Sequence, residues 1–483
     1  MTPAYKAAYK ALYERLRSGI LSGQLAAGAR LPPSRILAAE TGLSRNTVLA
    51  AFQQLEAEGY IVGRRGSGTY VAEILPEQLL SATVSSARAP TSTTGGVAAL
   101  SARGQRLAQT RRVALPAVLG QVPRGTAFLI GLPALDHFPF ATWAKLYADR
   151  LRTSATQLMR YDDPAGYRPL REAIAAFVGT TRGIHCSAEQ VIVTSGSQQA
   201  LELSARILLD PGDPAWLEDP GYLGARAALV SAGARLVPVP VDADGLDVTA
   251  GVAREPRARL AVVTPSYQFP LGHTMSLQRR LALIEWAGAH DAWIVEDDYD
   301  AEFHYTGRPH AALAAVDTRQ RVVYVGTFSK VLFPGLRLGY LIAPPQLVDG
   351  FLAAHLSTDI HAPVFDQAVV ADFIDHGHLA RHLRRMRVLH RERQQTLLRL
   401  ADPLGDALRL TASDGGLHLV GRLAAGRDDR SLARRAIREG VHVWPLSTHY
   451  LGPDPEVALL LGYAGTTPED MRQGIEVLAG ALG

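Results

Sequence analysis

The chain has 483 residues, of which 47% are hydrophobic and 20% are charged, with a formal net charge of +4 at pH 7. This composition excludes a disordered or fibrous protein, and the length predicts more than one folded unit. The single cysteine, Cys186, excludes an intrachain disulfide, and the sequence shows neither a signal peptide nor an uncharged apolar stretch of about 18 residues. We therefore expect a cytoplasmic protein that does not enter a membrane.

The first 72 residues carry the whole basic excess of the chain. They contain nine Lys or Arg and four Glu, a local net charge of +5. A basic segment of this kind favours a polyanionic partner only weakly, because lysine and arginine are also ordinary surface residues.

Two helices separated by a tight turn are predicted in this segment, at Arg35–Glu40 and Leu43–Gly59. Apolar residues recur at helical spacing in both, and they are Ile36, Leu37, Val48, Leu49, Phe52 and Leu55. Ser44 is suited to the N-cap of the second helix. Arg45, Asn46 and Thr47 would then occupy its first turn, where side-chain donors can reach base edges in a major groove.

A β-hairpin is predicted directly after these helices. Tyr60–Val62 and Thr69–Val71 have strand character, and the turn between them is rich in arginine and glycine (Arg64, Arg65, Gly66, Ser67 and Gly68). The order of helix, turn, helix and basic hairpin predicts a winged helix-turn-helix over residues 1–72. A capped surface helix without a DNA contact is the alternative.

The segment from Arg30 to Val71 resembles the DNA-binding domain of the GntR regulators. That resemblance implies that Arg35, Arg45 and Asn46 help to read double-stranded DNA, and that Gly66 and Gly68 shape the wing at the minor groove. We assign Ser44, Thr47, Arg64 and Arg65 to the same interface.

Residues 73–106 are dominated by Ala, Ser, Thr, Pro and Gly and predict a flexible linker. Residues 107–483 follow as a second domain, with a large subdomain at about 155–345 and a smaller one at about 346–483. Short apolar runs alternate with helical stretches in the large subdomain, which predicts an α/β fold with a largely parallel sheet. The runs are Val191–Thr194, Ala215–Leu217, Leu260–Thr264, Ala292–Val295 and Arg321–Val325.

An arginine-dense helix is predicted at Arg381–Gln395 in the smaller subdomain. We interpret its arginines as a helix face exposed to solvent. A patch that binds nucleic acid is the less favoured alternative.

Lys330 comes just after one of the apolar strands, in the sequence GTFSK. A lone lysine is more often a surface residue. An imine (Schiff base) with an aldehyde cofactor would explain its position together with the hydroxyls of Thr327 and Ser329.

The acidic sequence EDDYDAEF, from Glu296 to Phe303, follows another apolar strand. Its carboxylates could hold a divalent metal, but no further ligands stand at a metal-site spacing. In the preferred interpretation Asp297 keeps the pyridine nitrogen of pyridoxal phosphate (PLP) protonated, and Tyr299 reaches the phenolic oxygen.

A phosphate-binding turn is predicted at Ser195–Leu201, where a strand meets a helix start. Ser197 and Gln198 are the expected donors, and Arg337 can add charge-assisted hydrogen bonds. Tyr222, in EDPGY, could lie against the cofactor ring.

Taken together, these motifs resemble class I aminotransferases of fold type I, and their attachment to a GntR-type head resembles the MocR subfamily of regulators. The resemblance covers nearly the whole chain and includes YDDPAGYRPLR, Tyr161 to Arg171. It implies PLP as cofactor and a head-to-tail homodimer with cofactor sites at the subunit interface, where Tyr161 would reach the partner's phosphate.

Two departures from the aminotransferase pattern concern catalysis. Phe269 stands where aminotransferases usually have an Asn before Pro, and Gln268 or Tyr267 would have to substitute for it. LLLGYAG, Leu459 to Gly465, stands where an Arg usually binds the substrate carboxylate. His449 and Tyr450 are nearby candidates to face an effector.

The first hypothesis is a PLP-binding transcriptional regulator that senses an amine, an amino acid or the cofactor itself. The second is an active aminotransferase with a DNA-binding appendage, against which the missing carboxylate clamp counts. A third, a vestigial dimerisation domain without cofactor, is disfavoured because Lys330, Asp297, Tyr299 and Arg337 are all retained.

Overall fold

The computed structural model describes residues 3–64, 66–75, 100–114, 127–306 and 311–482. The chain divides into two compact units, residues 1–99 and 100–483. Within the described ranges, no helix has the length and apolarity needed to cross a membrane.

The first unit contains three helices followed by an antiparallel hairpin. Its elements are α1 Pro3–Leu21, α2 Ser34–Thr41, α3 Arg45–Ala57, β1 Ile61–Arg64 and β2 Gly68–Val71. The predicted helix-turn-helix and hairpin are therefore present. The helix α3 is shorter than predicted, because Ser44 caps its first turn and Gly59, with φ of 83°, lies beyond its end.

The core of this unit uses only part of the predicted apolar face. Leu37, Val48 and Leu55 are buried with residues of α1, whereas Ile36 and Leu49 are 51% and 36% exposed. The apolar residues at helical spacing therefore form a wider face than the core covers, and Ile36 and Leu49 lie on its exposed part.

The second unit begins with helix α4, Ala102–Ala114. The linker prediction was therefore wrong for residues 102–106, which are helical. The helix as a whole packs against the helix Leu223–Ala232. Residues 76–99 of the predicted linker lie outside the described residues.

An eight-stranded sheet forms the centre of the large subdomain. Its strands are β3 Val191–Thr194, β4 Pro214–Asp219, β5 Arg235–Asp242, β6 Gly245–Leu246, β7 Leu260–Val263, β8 Trp293–Asp297, β9 Val322–Thr327 and β10 Gly339–Ile342. Their order across the sheet is β3-β10-β9-β8-β7-β4-β5-β6. The strands from β9 to β5 in this order are parallel, and β10 runs antiparallel to β3 and β9.

Helices cover both faces of this sheet, as the near-continuous apolar strands predict. On β7, Leu260 and Val262 pack in one core cluster and Ala261 and Val263 in another. The helices of this part are α5 Phe140–Thr153, α6 Ala155–Leu158, α7 Arg168–Arg182, α8 Ser197–Leu208, α9 Leu223–Ala232, α10 Val248–Arg254, α11 Leu277–Ala289 and α12 Leu313–Val316.

The smaller subdomain is built on a four-stranded antiparallel sheet with order β11-β12-β14-β13. The strands are β11 Leu408–Leu410, β12 His418–Leu423, β13 Trp444–Pro445 and β14 Ala458–Gly462. The helices are α13 Val348–Leu356, α14 Val364–Asp375, α15 His378–Ala401, α16 Asp429–Arg438 and α17 Pro468–Leu482. Phe128 forms a β-bridge with Gly462, so this subdomain also includes chain far before residue 346.

The arginine-dense helix α15 does more than present charge to solvent. Arg393 has a side chain that is 4% exposed, and it bonds to Asp136 at 2.6 Å and to the Ala464 carbonyl oxygen at 2.6 Å. Arg387 donates to the Glu302 carbonyl oxygen at 2.6 Å. These arginines connect segments of the second unit, which neither sequence interpretation anticipated.

Candidate DNA-binding face and cofactor site

The start of α3 has the geometry that its predicted role requires. Gly42 ends α2 in the left-handed region, with φ of 66°, and Ser44 Oγ accepts a hydrogen bond from the Thr47 amide at 3.2 Å. Arg45 and Asn46 in the first turn are exposed, and so is Arg35 on α2. The unit therefore exposes Arg45 and Asn46 in the first turn of α3, the part of a recognition helix that contacts bases in helix-turn-helix proteins, and Arg35 on the preceding helix.

Thr47 does not belong to this exposed set. It is 3% exposed, and its hydroxyl lies 2.8 Å from Ser44 Oγ. The prediction that Thr47 reaches base edges was wrong, because the first turn of α3 directs this side chain into the core and the cap.

The wing depends on two glycines with positive φ, Gly66 at 76° and Gly68 at 118°. A Cβ on Gly68 would lie 2.9 Å from Arg30 Nε, so a side chain there would displace the arginine beside the hairpin. Arg64 is 57% exposed and lies over the Tyr70 ring, with 4.9 Å between its Cζ and the ring centroid. Arg65 lies outside the described residues.

The predicted cofactor residues meet at one edge of the large sheet. Ser197 follows β3, Tyr222 follows β4, Asp297 ends β8 and Lys330 follows β9. These strands run in the same direction, so their carboxyl ends share an edge, and Arg337 precedes the antiparallel strand β10 at that same edge. Ligands of α/β sheets bind at such edges.

Lys330 is anchored at this edge by a distant segment. Its Nζ donates to the Gly131 carbonyl oxygen at 2.9 Å. Burial lowers the pKa of the Lys330 amine, and the nearby Asp300 and Asp297 oppose that shift. A lowered pKa leaves more of the amine unprotonated, which is the form that attacks an aldehyde.

Asp297 Oδ1 and the Tyr299 hydroxyl are buried polar atoms, and neither has a hydrogen-bond partner in the described chain. Asp297 is 4% exposed. Burial, with a smaller effect of Asp298, raises its pKa to about 7. Buried polar atoms are normally paired, and a protonated pyridine nitrogen and a phenolic oxygen are suitable partners. The donor set therefore fits PLP.

Two other acids of EDDYD, Glu296 and Asp298, have internal partners, whereas Asp300 Oδ2 is, like Asp297 Oδ1, buried without a partner in the described chain. Glu296 accepts hydrogen bonds from the Leu313 and Ala314 amides, both at 2.8 Å, and Asp298 pairs with Arg182 Nε at 2.7 Å. Strand alternation directs these two side chains away from Asp297. Within the described residues, no group of three acids, histidines or cysteines is arranged to hold a metal.

The start of α8 forms a cradle lined by backbone amides. Gly196 has φ of 106°, and the Arg337 guanidinium donates to the Ser195 carbonyl oxygen at 2.9 Å. The first amides of a helix, here those of Ser197 and Gln198, have no intrahelical acceptor and suit an anion. The Gln198 side chain is used elsewhere, because its Nε2 donates to the Gly224 carbonyl oxygen at 3.0 Å.

Aromatic side chains form the wall beside these groups. Phe269 contacts Tyr222 and Tyr299 edge to face, with ring centroids 5.7 and 5.8 Å apart. The hydrocarbon ring of Phe269 therefore lies where aminotransferases usually have an asparagine side chain. Gln268 Nε2 bonds to Glu218, Pro220 and Phe269, and Tyr267 donates to the His418 carbonyl oxygen, so both proposed substitutes have internal partners.

Three further predicted residues have other contacts. Thr327 and Ser329 are buried, and Thr327 Oγ1 accepts a hydrogen bond from the Ser329 amide at 3.2 Å. Tyr161 is 85% exposed and its ring lies 6.0 Å from that of His361. Its predicted contact with a partner subunit stays a prediction.

Two features of the site were missed from the sequence. Gly131 has no motif around it, and only folding brings its carbonyl to Lys330. Asp300 is 2% exposed, and its charge has the largest electrostatic effect of any group on the Lys330 pKa. For Asp300 a usable signal was present, since it belongs to the acidic sequence EDDYD and lies three residues after the end of β8.

The fold and the site define a DNA-binding head joined to a domain of aminotransferase type. Residues 129–478 match the model of aminotransferase class I and II, and residues 8–71 match that of bacterial regulatory proteins of the gntR family. The chain belongs to the MocR-type regulators of the GntR family, which are transcriptional regulators with an aminotransferase-like domain.

Relatives of full length support this assignment. The chain is 44% identical to the probable rhizopine catabolism regulatory protein MocR of Rhizobium meliloti, over 96% of this chain and 91% of that protein. It is 33% identical to the transcriptional regulator TauR of Rhodobacter capsulatus, over 96% and 94%.

A solved structure supports the fold of the second unit. LysN of Thermus thermophilus, an alpha-aminoadipate aminotransferase complexed with N-(5'-phosphopyridoxyl)-L-leucine, is 31% identical with a TM-score of 0.70. The match covers 77% of this chain and 96% of LysN.

Proposed function

We propose that this regulator holds PLP at Lys330 and changes its affinity for operator DNA when a primary amine, an amino acid or PLP itself binds. The observation that carries the proposal is the Lys330 amine beside the unpartnered Asp297 carboxylate oxygen, at the carboxyl edge of the sheet. PLP, when bound, supplies an electron-withdrawing ring whose aldehyde accepts amines.

Each remaining residue has an assigned part in holding the cofactor. Asp297 would hold the pyridine nitrogen protonated, Tyr299 would donate to the phenolic oxygen, and Tyr222 would lie against the ring. The amides of Ser197 and Gln198 and the Arg337 guanidinium would bind the phosphate, while Thr327 and Ser329 support the turn that carries Lys330.

We also propose that the protein acts in the cytoplasm as a head-to-tail homodimer. Tyr161 would then reach the phosphate of the partner's site, and its 85% exposure in the single chain leaves it available for such a contact. Two heads in one dimer would bind two half-sites of duplex DNA.

An active aminotransferase is the alternative function. Lys330 and Asp297 are compatible with it, whereas Phe269 and the apolar strand β14 replace two groups that orient a substrate amino acid. Orientation of the reacting bond contributes much of such a rate, so the site favours binding of an amine over its turnover.

The test is the visible spectrum of the full-length protein after incubation with PLP. A yellow protein that borohydride reduction converts to a stable adduct on Lys330 is expected. Lys330→Ala should show no adduct, whereas Lys145→Ala, which changes an exposed lysine of the same unit, should load normally. A reducible chromophore that persists in Lys330→Ala would contradict the assignment.

A further inference from the structure

Strand β14 presents different residues to two sides of the smaller sheet. Leu459 and Leu461 pack into the main core of the second unit. Ala458 and Leu460 pack on the opposite face, in a cluster that includes Phe269 and contacts Tyr222 and Tyr299. Leu460 is thus the residue of LLLGYAG that faces the candidate cofactor site.

The surroundings of Leu460 are apolar. Its cross-strand neighbours are Val420 on β12 and Trp444 on β13, and it is fully buried. Arg422 stands two residues from Val420, but its side chain is 46% exposed and paired with Glu456 at 2.7 Å. A carboxylate placed against Leu460 would lose its hydration without gaining a cation, which is strongly unfavourable.

The remaining charges at the site do not change this conclusion. The two nearby cations are already assigned, since Arg337 borders the cradle at Gly196 and Lys330 would form the imine with the cofactor. Burial lowers the pKa of both His418 and His449 to about 4, so these rings are neutral at pH 7.

His449 offers one unused acceptor in this region. It is 3% exposed, and its Nδ1 lies 3.2 Å from the Gly221 carbonyl oxygen, which requires Nδ1 to carry the proton. Nε2 is then an acceptor, and it is buried without a partner in the described chain. The ring contacts Phe269 at 5.3 Å between centroids. A hydroxyl or N–H of a ligand would satisfy this atom.

We propose that the effector is a primary amine that has no carboxylate and carries an uncharged hydrogen-bond donor, as an amino alcohol does. Leu460 and its neighbours reject the carboxylate, and His449 accepts the donor. This inference rests on the proposed PLP site, and it narrows the effector from amines and amino acids in general to one chemical class.

The wild-type, PLP-loaded protein provides the first test. Three matched series are titrated: leucine, leucinol and isoamylamine; phenylalanine, phenylalaninol and phenethylamine; valine, valinol and isobutylamine. Binding is followed by calorimetry and by the affinity for a DNA duplex that the protein has selected from a random pool. In at least one series the amino alcohol should bind 100-fold or more tightly than the amino acid, about the discrimination that an unpaired buried charge imposes. Equal or tighter binding of the amino acids, or no binding in any series, would overturn the inference.

Two variants of Leu460 test the cause of this preference. Leu460→Arg should raise the affinity for the amino acids and lower that for the amino alcohols. Leu460→Met introduces an uncharged side chain of similar volume and should keep the wild-type order of ligand affinities. An unchanged order in a folded Leu460→Arg protein would contradict the role of Leu460. The wild-type titrations decide the question if the arginine variant does not fold.

His449→Phe keeps the ring volume and removes the acceptor. It should weaken binding of the amino alcohol about 5- to 10-fold, the effect of one neutral hydrogen bond, and leave the simple amine unchanged. Equal losses for both ligands would overturn the role of His449. Failure of the proposed PLP site is recognised separately, because the wild-type protein would then show no reducible chromophore before any amine is added.

Discussion

The Lys330 amine and the Gly131 carbonyl oxygen are 2.9 Å apart, although the two residues are separated by 199 positions of sequence. Gly131 has φ of 74°, and a Cβ on it would lie 2.5 Å from Lys330 Nζ. A side chain at this position would therefore move the lysine away from its present position.

We predict that Gly131→Ala slows covalent loading of PLP by about 10- to 100-fold, because displacement of a reacting atom by about 1 Å is costly. Gly183→Ala is the matched control. Gly183 has nearly the same φ, 73°, but a Cβ there would meet only Ala315 Cβ at 3.6 Å. Both variants should lose about 1 kcal/mol of stability from backbone strain, and only Gly131→Ala should load slowly in a stopped-flow absorbance measurement. Equal loading rates would show that the Gly131 contact does not position Lys330.

A second prediction concerns the pH dependence of stability in the cofactor-free protein. Burial raises the pKa of Asp297 from 3.8 to about 7. Between these values the folded protein keeps a proton that the unfolded chain has released, so folding binds protons and stability falls as the pH rises.

Asp297→Asn should remove this contribution. Between pH 5 and 7 the free energy of unfolding should fall by about 2 kcal/mol less in the variant than in the wild type. The difference between the two proteins should change by at most about 1.4 kcal/mol per pH unit. Asp244→Asn changes an exposed carboxylate and should follow the wild-type profile. Chemical denaturation at both pH values provides the measurement, and parallel wild-type and Asp297→Asn profiles would refute the prediction.

A third prediction separates neighbouring residues at the start of α3. Arg45→Ala should lose about 1 to 3 kcal/mol of discrimination between the selected duplex and a scrambled one, if Arg45 reads a base. Thr47→Val should keep that discrimination, because Thr47 is buried against Ser44.

Fluorescence anisotropy with both duplexes at several salt concentrations measures these effects. Arg64→Ala serves as a phosphate-contact control and should weaken binding to both duplexes alike while reducing the salt slope by about one. Loss of discrimination in Thr47→Val alone would show that the buried position of this side chain does not persist on DNA.

A fourth prediction distinguishes the regulator from an enzyme. A cognate amine should change the visible spectrum and the DNA affinity with little formation of a carbonyl product, since Phe269 and Leu460 provide no polar group to orient a substrate. Product formation is measured over many equivalents of amine and an acceptor keto acid. Sustained turnover at about 1 to 1000 per second, the range of ordinary enzymes, would favour the aminotransferase instead.

Much of this protein could be predicted from local sequence patterns. The five apolar runs correspond to β3, β4, β7, β8 and β9, and the strand Val191–Thr194 has the predicted bounds. Ser44 caps α3 as predicted, and Asp297 and Lys330 lie at the same edge of the sheet. These features depend on periodicity, capping and strand direction, which are properties of short segments.

Only the tertiary structure decided which side of each segment is used. Helical spacing could not show that Leu37 is buried and Ile36 exposed, because packing of α2 against α3 and the rest of the core determines its covered side. The alternation of β14 likewise does not say whether Leu459 or Leu460 faces the cofactor site, and nothing local connects Gly131 with Lys330. A sequence period defines the faces of an element, whereas packing between distant segments determines which face is covered and which residues meet.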